Sequence, residues 1–314
     1  MFAALVCALL FVACSVQKAS TGSAALRQAQ GDTGQQASTS SAALRQAQGD
    51  TGVIPVVTTF STLNSFVEAV GGSHVQVQNL VPIGASPETY QPTPQDVATL
   101  SGARLVVENG AGIEAWLQHT IQNAGSASSH VLVLSNGMPV VGNNPHLWMD
   151  PVYAREYVRK IHDALIAIDP KDKADYDRNT SAYLIQLLAL QNYVAREIQT
   201  IPAQQRAMII FHNAFDYYNR RFGIQTVGII ELSPGQDPNP EYIGHLVDLA
   251  RAHHVRAVFS EPEYSPKLAE TLAHSAGIHV VTNLYDDSIG EDPRVNNYVN
   301  MIRYDTGVIV QSLE

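Results

Sequence analysis

From residue 53 onward the chain alternates short β-branched runs with amphipathic stretches, and no other feature narrows its fold as far. Strands buried on both faces read as continuous apolar runs, and the helices that cover them read with a period of about 3.6 residues. The first half opens with VIPVVTTF (53–60). A helix follows with Leu63, Phe66, Val67 and Val70 on one face and Gly71-Gly72 as its stop. Further strands are predicted at VQVQNLV (75–81), RLVVEN (104–109) and HVLVLSN (130–136). Thr93-Pro94-Gln95-Asp96 supplies a cap, a first-turn proline and an acid three positions after the cap, so a helix starts there.

The stretch 171–200 has apolar Tyr176, Tyr183, Leu187, Leu190, Val194 and Ile198 at helical spacing and no internal Gly or Pro. It is predicted to be one helix of about 40 Å, long enough to run past two lobes. The second half repeats the pattern, with strands predicted at 207–211, 226–230, 256–260 and 279–284 and helices opening at Asn239-Pro240 and Ser265-Pro266. The expected fold class is α/β: two lobes, each a parallel sheet flanked by helices, bridged by one long backbone helix, with a cleft between them. The expected boundaries are 53–170 for the N-terminal lobe, 171–200 for the bridging helix and 201–314 for the C-terminal lobe.

The chain begins with an address. Met1 to Ala13 is uncharged and almost wholly apolar, too short to span a bilayer and the right size for a signal-peptide core. Phe11-Val12-Ala13-Cys14-Ser15 resembles a bacterial lipoprotein processing box, so 1–14 reads as a signal peptide whose Cys14 becomes a lipid anchor to the membrane. The protein is then exported, to the periplasm or the outer face of the cytoplasmic membrane. Residues 15–52 are low in complexity, with SAALRQAQGDTG at 23–34 and again at 41–52. They read as a linker which, as a flexible coil, spans about 35 Å.

The two cysteines, Cys7 and Cys14, both lie in the leader, so the folded body can hold neither a disulfide nor a thiolate metal site. With a formal charge of −10 and no Lys/Arg block longer than two, the chain has no cationic surface to grip nucleic acid. A Gly-rich phosphate loop, a Gly-x-Ser-x-Gly elbow and a nucleophilic cysteine are all missing from the sequence.

In parallel α/β sheets ligands bind beyond the carboxyl ends of the strands. Four donors fall there: Glu88 in Ser86-Pro87-Glu88-Thr89-Tyr90, His146 in NPHLWMDP (144–151), His212 after AMIIF, and Asp287 after HVVTNLY. Two come from each half. Two imidazoles and two carboxylates suit manganese, iron(II) or zinc rather than copper(I). Asp286 competes with its neighbour for the role. Trp116 and Trp148 are read as packing under the cleft. Glu263 either lines the cleft as an acceptor around the donors or sits in a surface loop. The His253-His254 pair is discounted, because adjacent helical residues point about 100° apart.

Over roughly 53–314 the sequence resembles the metal-specific solute-binding proteins of bacterial ABC importers, the zinc/manganese group called TroA-like or ZnuA-like. The segments that carry the resemblance are SPETYQPTPQD (86–96), ENGAGIEAW (108–116), NPHLWMDP (144–151), FHNAFDYYNRRFGI (211–224), FSEPEYSPKLAETLA (259–273) and LYDDSIG (284–290). It implies His146, His212 and Asp287 as the second, third and fourth ligands of one divalent ion carried as cargo: zinc, manganese or iron(II). At the first position the family usually has Pro-His and this chain has Pro87-Glu88, a departure that bears on metal identity. The stretch 117–143, where zinc-type relatives carry a His- and acid-rich loop, has only His119 and His130. The resemblance further implies a monomeric receptor rather than an enzyme, with a membrane permease and its ATPase as partners. Two other functions use the same residues differently: a metal-dependent hydrolase with Glu88 as general base, and a surface adhesin.

Overall fold

The structure is a computed structural model that describes residues 52–125 and 130–314. The signal segment, Cys14 and all of the linker but Gly52 lie outside the described residues. Two four-stranded sheets, both wholly parallel, organise the rest. The first contains β1 (Ile54–Thr58), β2 (Val75–Asn79), β3 (Leu105–Glu108) and β4 (His130–Val133) in the order β2-β1-β3-β4. The second repeats that order as β6-β5-β7-β8, with β5 (Ala207–Ile210), β6 (Gln225–Ile229), β7 (Ala257–Phe259) and β8 (His279–Val281). Each sheet therefore reverses direction beside its first strand, between β1 and β3 and between β5 and β7. Loops leave the carboxyl ends of those neighbouring strands in opposite directions and open a crevice.

The strands are shorter than their apolar runs. RLVVEN (104–109) keeps Leu105–Glu108, because Asn109 and Gly110 turn the chain away. Gly110 has φ +78, and a Cβ there would lie 2.4 Å from Val133 Cγ1 and 2.7 Å from Ser135 Oγ. The predicted helices form. α1 (Ser61–Gly71) buries Leu63, Phe66, Val67 and Val70 and stops at Gly72, where φ is +53. α2 (Pro94–Gly102) carries the reciprocal Thr93–Asp96 cap. After the short α3 (Leu117–Asn123), α4 (Pro151–Ile168) is capped by Asp150, whose Oδ1 accepts from the Val152 amide.

The long element is α5 (Lys173–Thr200), an unbroken helix with all six predicted apolar positions buried. It packs on α1, on α4 and on the last helix, so residues from both sheets and all these helices share one apolar core. In the second lobe α6 (Asp216–Phe222), α7 (Pro240–Ala252) and α8 (Lys267–Ala276) flank the sheet. The last helix, α9 (Tyr298–Leu313), has no counterpart among the predicted elements. Its Gly307 and the buried polar Asp305 and Thr306 dilute the apolar stripe by which a helix is read. Among the described residues no helix is long and apolar enough to cross a membrane.

Candidate metal centre

The carboxyl end of β5 delivers His212 and that of β7 delivers Glu261, on the two sides of the second lobe's reversal point. The loop after β4 brings His146 to the same place, with Asn144 folding under it. The Asn144 side-chain oxygen stands 2.9 Å from both the His146 amide and His146 Nδ1. An amide oxygen only accepts, so Nδ1 carries the proton and the Nε2 lone pair is free. His212 Nδ1 faces Glu261 Oε1 at 3.5 Å, an ion-pair separation without a hydrogen bond. Both imidazoles are buried and present Nε2 to each other at 3.3 Å.

Asp287 Oδ1 lies 3.5 Å from His146 Nε2, and one donor atom from each of His146, His212 and Asp287 falls within 4.8 Å of the others. Two nitrogens each about 2.1 Å from one ion at the tetrahedral angle stand about 3.4 Å apart, which is the spacing found here. The donor set fits a divalent cation. Glu88 is half-buried and lines a cavity of about 170 Å³ with His146, His212 and Glu231. Burial raises its carboxyl above the ordinary range, and His146 pulls it partly back. Its loop is held from beneath by Trp116, whose indole donates to Pro87 O at 2.8 Å.

Trp148 packs against His146. It is fully buried, its ring 5.1 Å from that of His146, and its indole donates to Asp286 O at 3.0 Å. Glu263 takes the buried alternative: both its carboxylate oxygens are buried without a hydrogen-bond partner, and burial together with Asp287 pushes its pKa up to about 8. His119, His130, His253 and His254 are exposed and join no donor group among the described residues.

Two further residues reach the donors without being marked by the sequence, and a third, Asp286, is weighed there only as a rival of Asp287. Glu261 follows β7 directly and satisfies the same strand-end rule that selected His212. Asn144 carries no charge or metal affinity to mark it, and its role exists only in contact with the imidazole. Asp286, set aside in favour of Asp287, is completely buried, with Oδ2 3.6 Å from His212 Nε2. Burial opposes the charged form of His212, but Asp286 and Glu261 outweigh it and hold that imidazole's pKa well above its usual value. Asp286 itself is raised far above the carboxylate range by burial, against the pull of His212.

Two α/β lobes on a shared helix, with nitrogen and oxygen donors converging from both, define a cleft-type solute-binding protein for a metal ion. Residues 56–312 match the family described as the periplasmic zinc-uptake complex component A, ZnuA, and the chain belongs to that family. It is 31% identical over 265 residues to the manganese-binding lipoprotein MntA of Halalkalibacterium halodurans, covering 83% of this chain and 88% of that protein. It is 29% identical over 264 residues to the iron-binding protein YfeA of Yersinia pestis, covering 82% and 85%. The crystal structure of ZnuA superposes with a TM-score of 0.75 at 26% identity, over 83% of this chain and 100% of that one.

Proposed function

We propose that this protein is the extracytoplasmic substrate-binding component of an ABC importer, capturing a divalent transition-metal ion through His146, His212, Asp287 and Glu88. The observation that supports this most directly is the pair of imidazoles whose Nδ1 atoms face acceptors and whose Nε2 atoms meet at 3.3 Å beside Asp287. Two protonated rings would repel at that distance. Two neutral rings with an ion between them are each satisfied.

The protein holds its ion rather than using it. Around a tetrahedral ion such as zinc, four protein ligands leave no open position for a water nucleophile, whereas a catalytic zinc keeps one. The lobes close on the ion because each supplies two donors, and a membrane permease with its own ATPase receives it. Cys14, once lipidated, keeps the receptor at the membrane as a monomer. The relatives named for manganese and iron favour one of those metals in the cell, and Glu88 in place of an imidazole adds an oxygen donor in the same direction.

Elemental analysis of protein purified from its native host tests the reading, with Glu88→Ala and His146→Ala versions alongside. About one equivalent of a divalent metal is expected in the parent, with little or none in His146→Ala. A metal-free parent that still takes up no manganese, iron or zinc in vitro overturns it.

A further inference from the structure

Asp286 has no structural task that accounts for its burial. One oxygen, Oδ1, accepts the amide of Asp287, which fixes the side chain's direction. The other, Oδ2, is buried without any hydrogen-bond partner and stands 3.6 Å from His212 Nε2, the same nitrogen that faces His146. Without a metal ion, His212 is its only partner among the described residues, an ion pair at 3.6 Å with no hydrogen bond. A carboxylate oxygen at zero exposure with no hydrogen bond is costly to keep ionised, and a bound cation relieves that cost.

The backbone around Asp286 is fixed as firmly as the side chain. Its carbonyl accepts from Thr62 Oγ1 at 3.1 Å and from Trp148 Nε1 at 3.0 Å, and the Asp287 carbonyl accepts from Thr62 at 2.9 Å. With both carbonyls tied to the first lobe, Asp287 sits against His146 and Asp286 against His212; the donor atoms of His146, His212 and Asp287 form one group within 4.8 Å, those of His212, Glu261 and Asp286 a second, and His212 belongs to both.

We propose that Asp286 is a further ligand of the transported ion, bound through Oδ2, so that the ion meets two nitrogens and carboxylates from Glu88, Asp286 and Asp287. This rests on the function proposed above and deepens it. A donor set of three carboxylates and two imidazoles exceeds the four-coordinate tetrahedron that zinc prefers and approaches the higher, oxygen-rich coordination that suits manganese(II). Asp286 is thus a determinant of which metal the receptor carries.

The test has two arms. In a crystal structure of the wild-type protein loaded with Mn²⁺, Asp286 Oδ2 is expected within about 2.4 Å of the ion. A separation beyond about 3 Å overturns the proposal without recourse to any variant. In the second arm, Asp286→Asn keeps the size of the side chain and an oxygen for the Asp287 amide. Competition against a chelator is expected to show Mn²⁺ bound at least about tenfold more weakly while Zn²⁺ changes by less than about threefold. Equal losses for both metals assign Asp286 a merely structural role, and no loss for either makes it a bystander; both results overturn the proposal. If wild-type protein binds neither metal, the function proposed above falls as well, whereas wild-type binding with an unselective Asp286→Asn sinks only the ligand assignment.

Discussion

At the scale of single residues, the centre depends on proton placement as much as on the ligands. Asn144 fixes the tautomer of His146 and at the same time donates through Nδ2 to Asn213 O across the lobes. Asn144→Ala leaves the imidazole free to rotate and to protonate at Nε2. Metal affinity measured against a competing chelator is expected to fall about 10- to 100-fold. The proposed donors could be picked from the sequence because strand ends mark where ligands bind. Their supports were not, since Asn144 and Glu261 act only through the ring each approaches, and that approach is a product of tertiary packing. The choice between Asp286 and Asp287 is likewise invisible in LYDDSIG, because both side chains face imidazoles once Thr62 and Trp148 have tied down their carbonyls.

At the scale of elements, the turn after β3 shows how a loop is made rigid enough to hold a site. The Glu114 carboxylate accepts from Thr59 Oγ1 and the Asn109 amide, both at 2.7 Å, and from the Gly110 amide at 2.9 Å. Asn109 Nδ2 in turn donates to Pro145 O at 3.0 Å, and Pro145 precedes His146. Gly110 has to be glycine: its positive φ and the 2.4 Å approach to Val133 leave no room for a methyl group. Gly110→Ala is expected to cost roughly 1–3 kcal/mol by denaturant melting and to loosen the His146 loop, read as weaker metal binding. Periodicity revealed α5 because its six apolar positions share one uninterrupted face. It missed α9, whose buried Asp305 accepts the Tyr285 amide and whose Thr306 hydroxyl meets Tyr218 OH at 2.8 Å. Those residues read as polar surface until their partners are known.

At the scale of the whole molecule, the lobes are joined by hydrogen bonds that ring the metal centre. Thr62 reaches both aspartate carbonyls, Ser61 Oγ meets Ser288 Oγ at 3.2 Å, and Arg221 pairs with Asp150 at 2.7 Å. Thr62→Val keeps the shape and removes the hydroxyl proton that the two carbonyls share. Losing roughly 1–2 kcal/mol from the closed arrangement should speed metal release about tenfold in stopped-flow chelator experiments. The same packing concentrates buried acids. Burial first, and neighbouring carboxylates second, raise the pKa of Asp286, and burial with Asp287 takes that of Glu263 to about 8. Burial also takes Glu114 to about 8, against its three hydrogen bonds. His212 is raised too, so between pH of about 5 and 8 the folded metal-free protein binds more protons than the unfolded chain. A group with a raised folded pKa contributes most below its unfolded pKa and loses that contribution as pH climbs. Exposed pairs such as Asp292 with Arg294 act in the opposite sense, but solvent screens them. The metal-free protein is therefore expected to melt at progressively lower temperature as pH rises from about 5 to 8. Manganese must displace the protons held on His212 and Asp286, so the rise in melting temperature that it produces should grow over the same interval. Calorimetry at three pH values, with chelator and with excess manganese, reads both slopes. A metal-free melting temperature that climbs with pH would mean that the buried acids are ionised before the ion arrives.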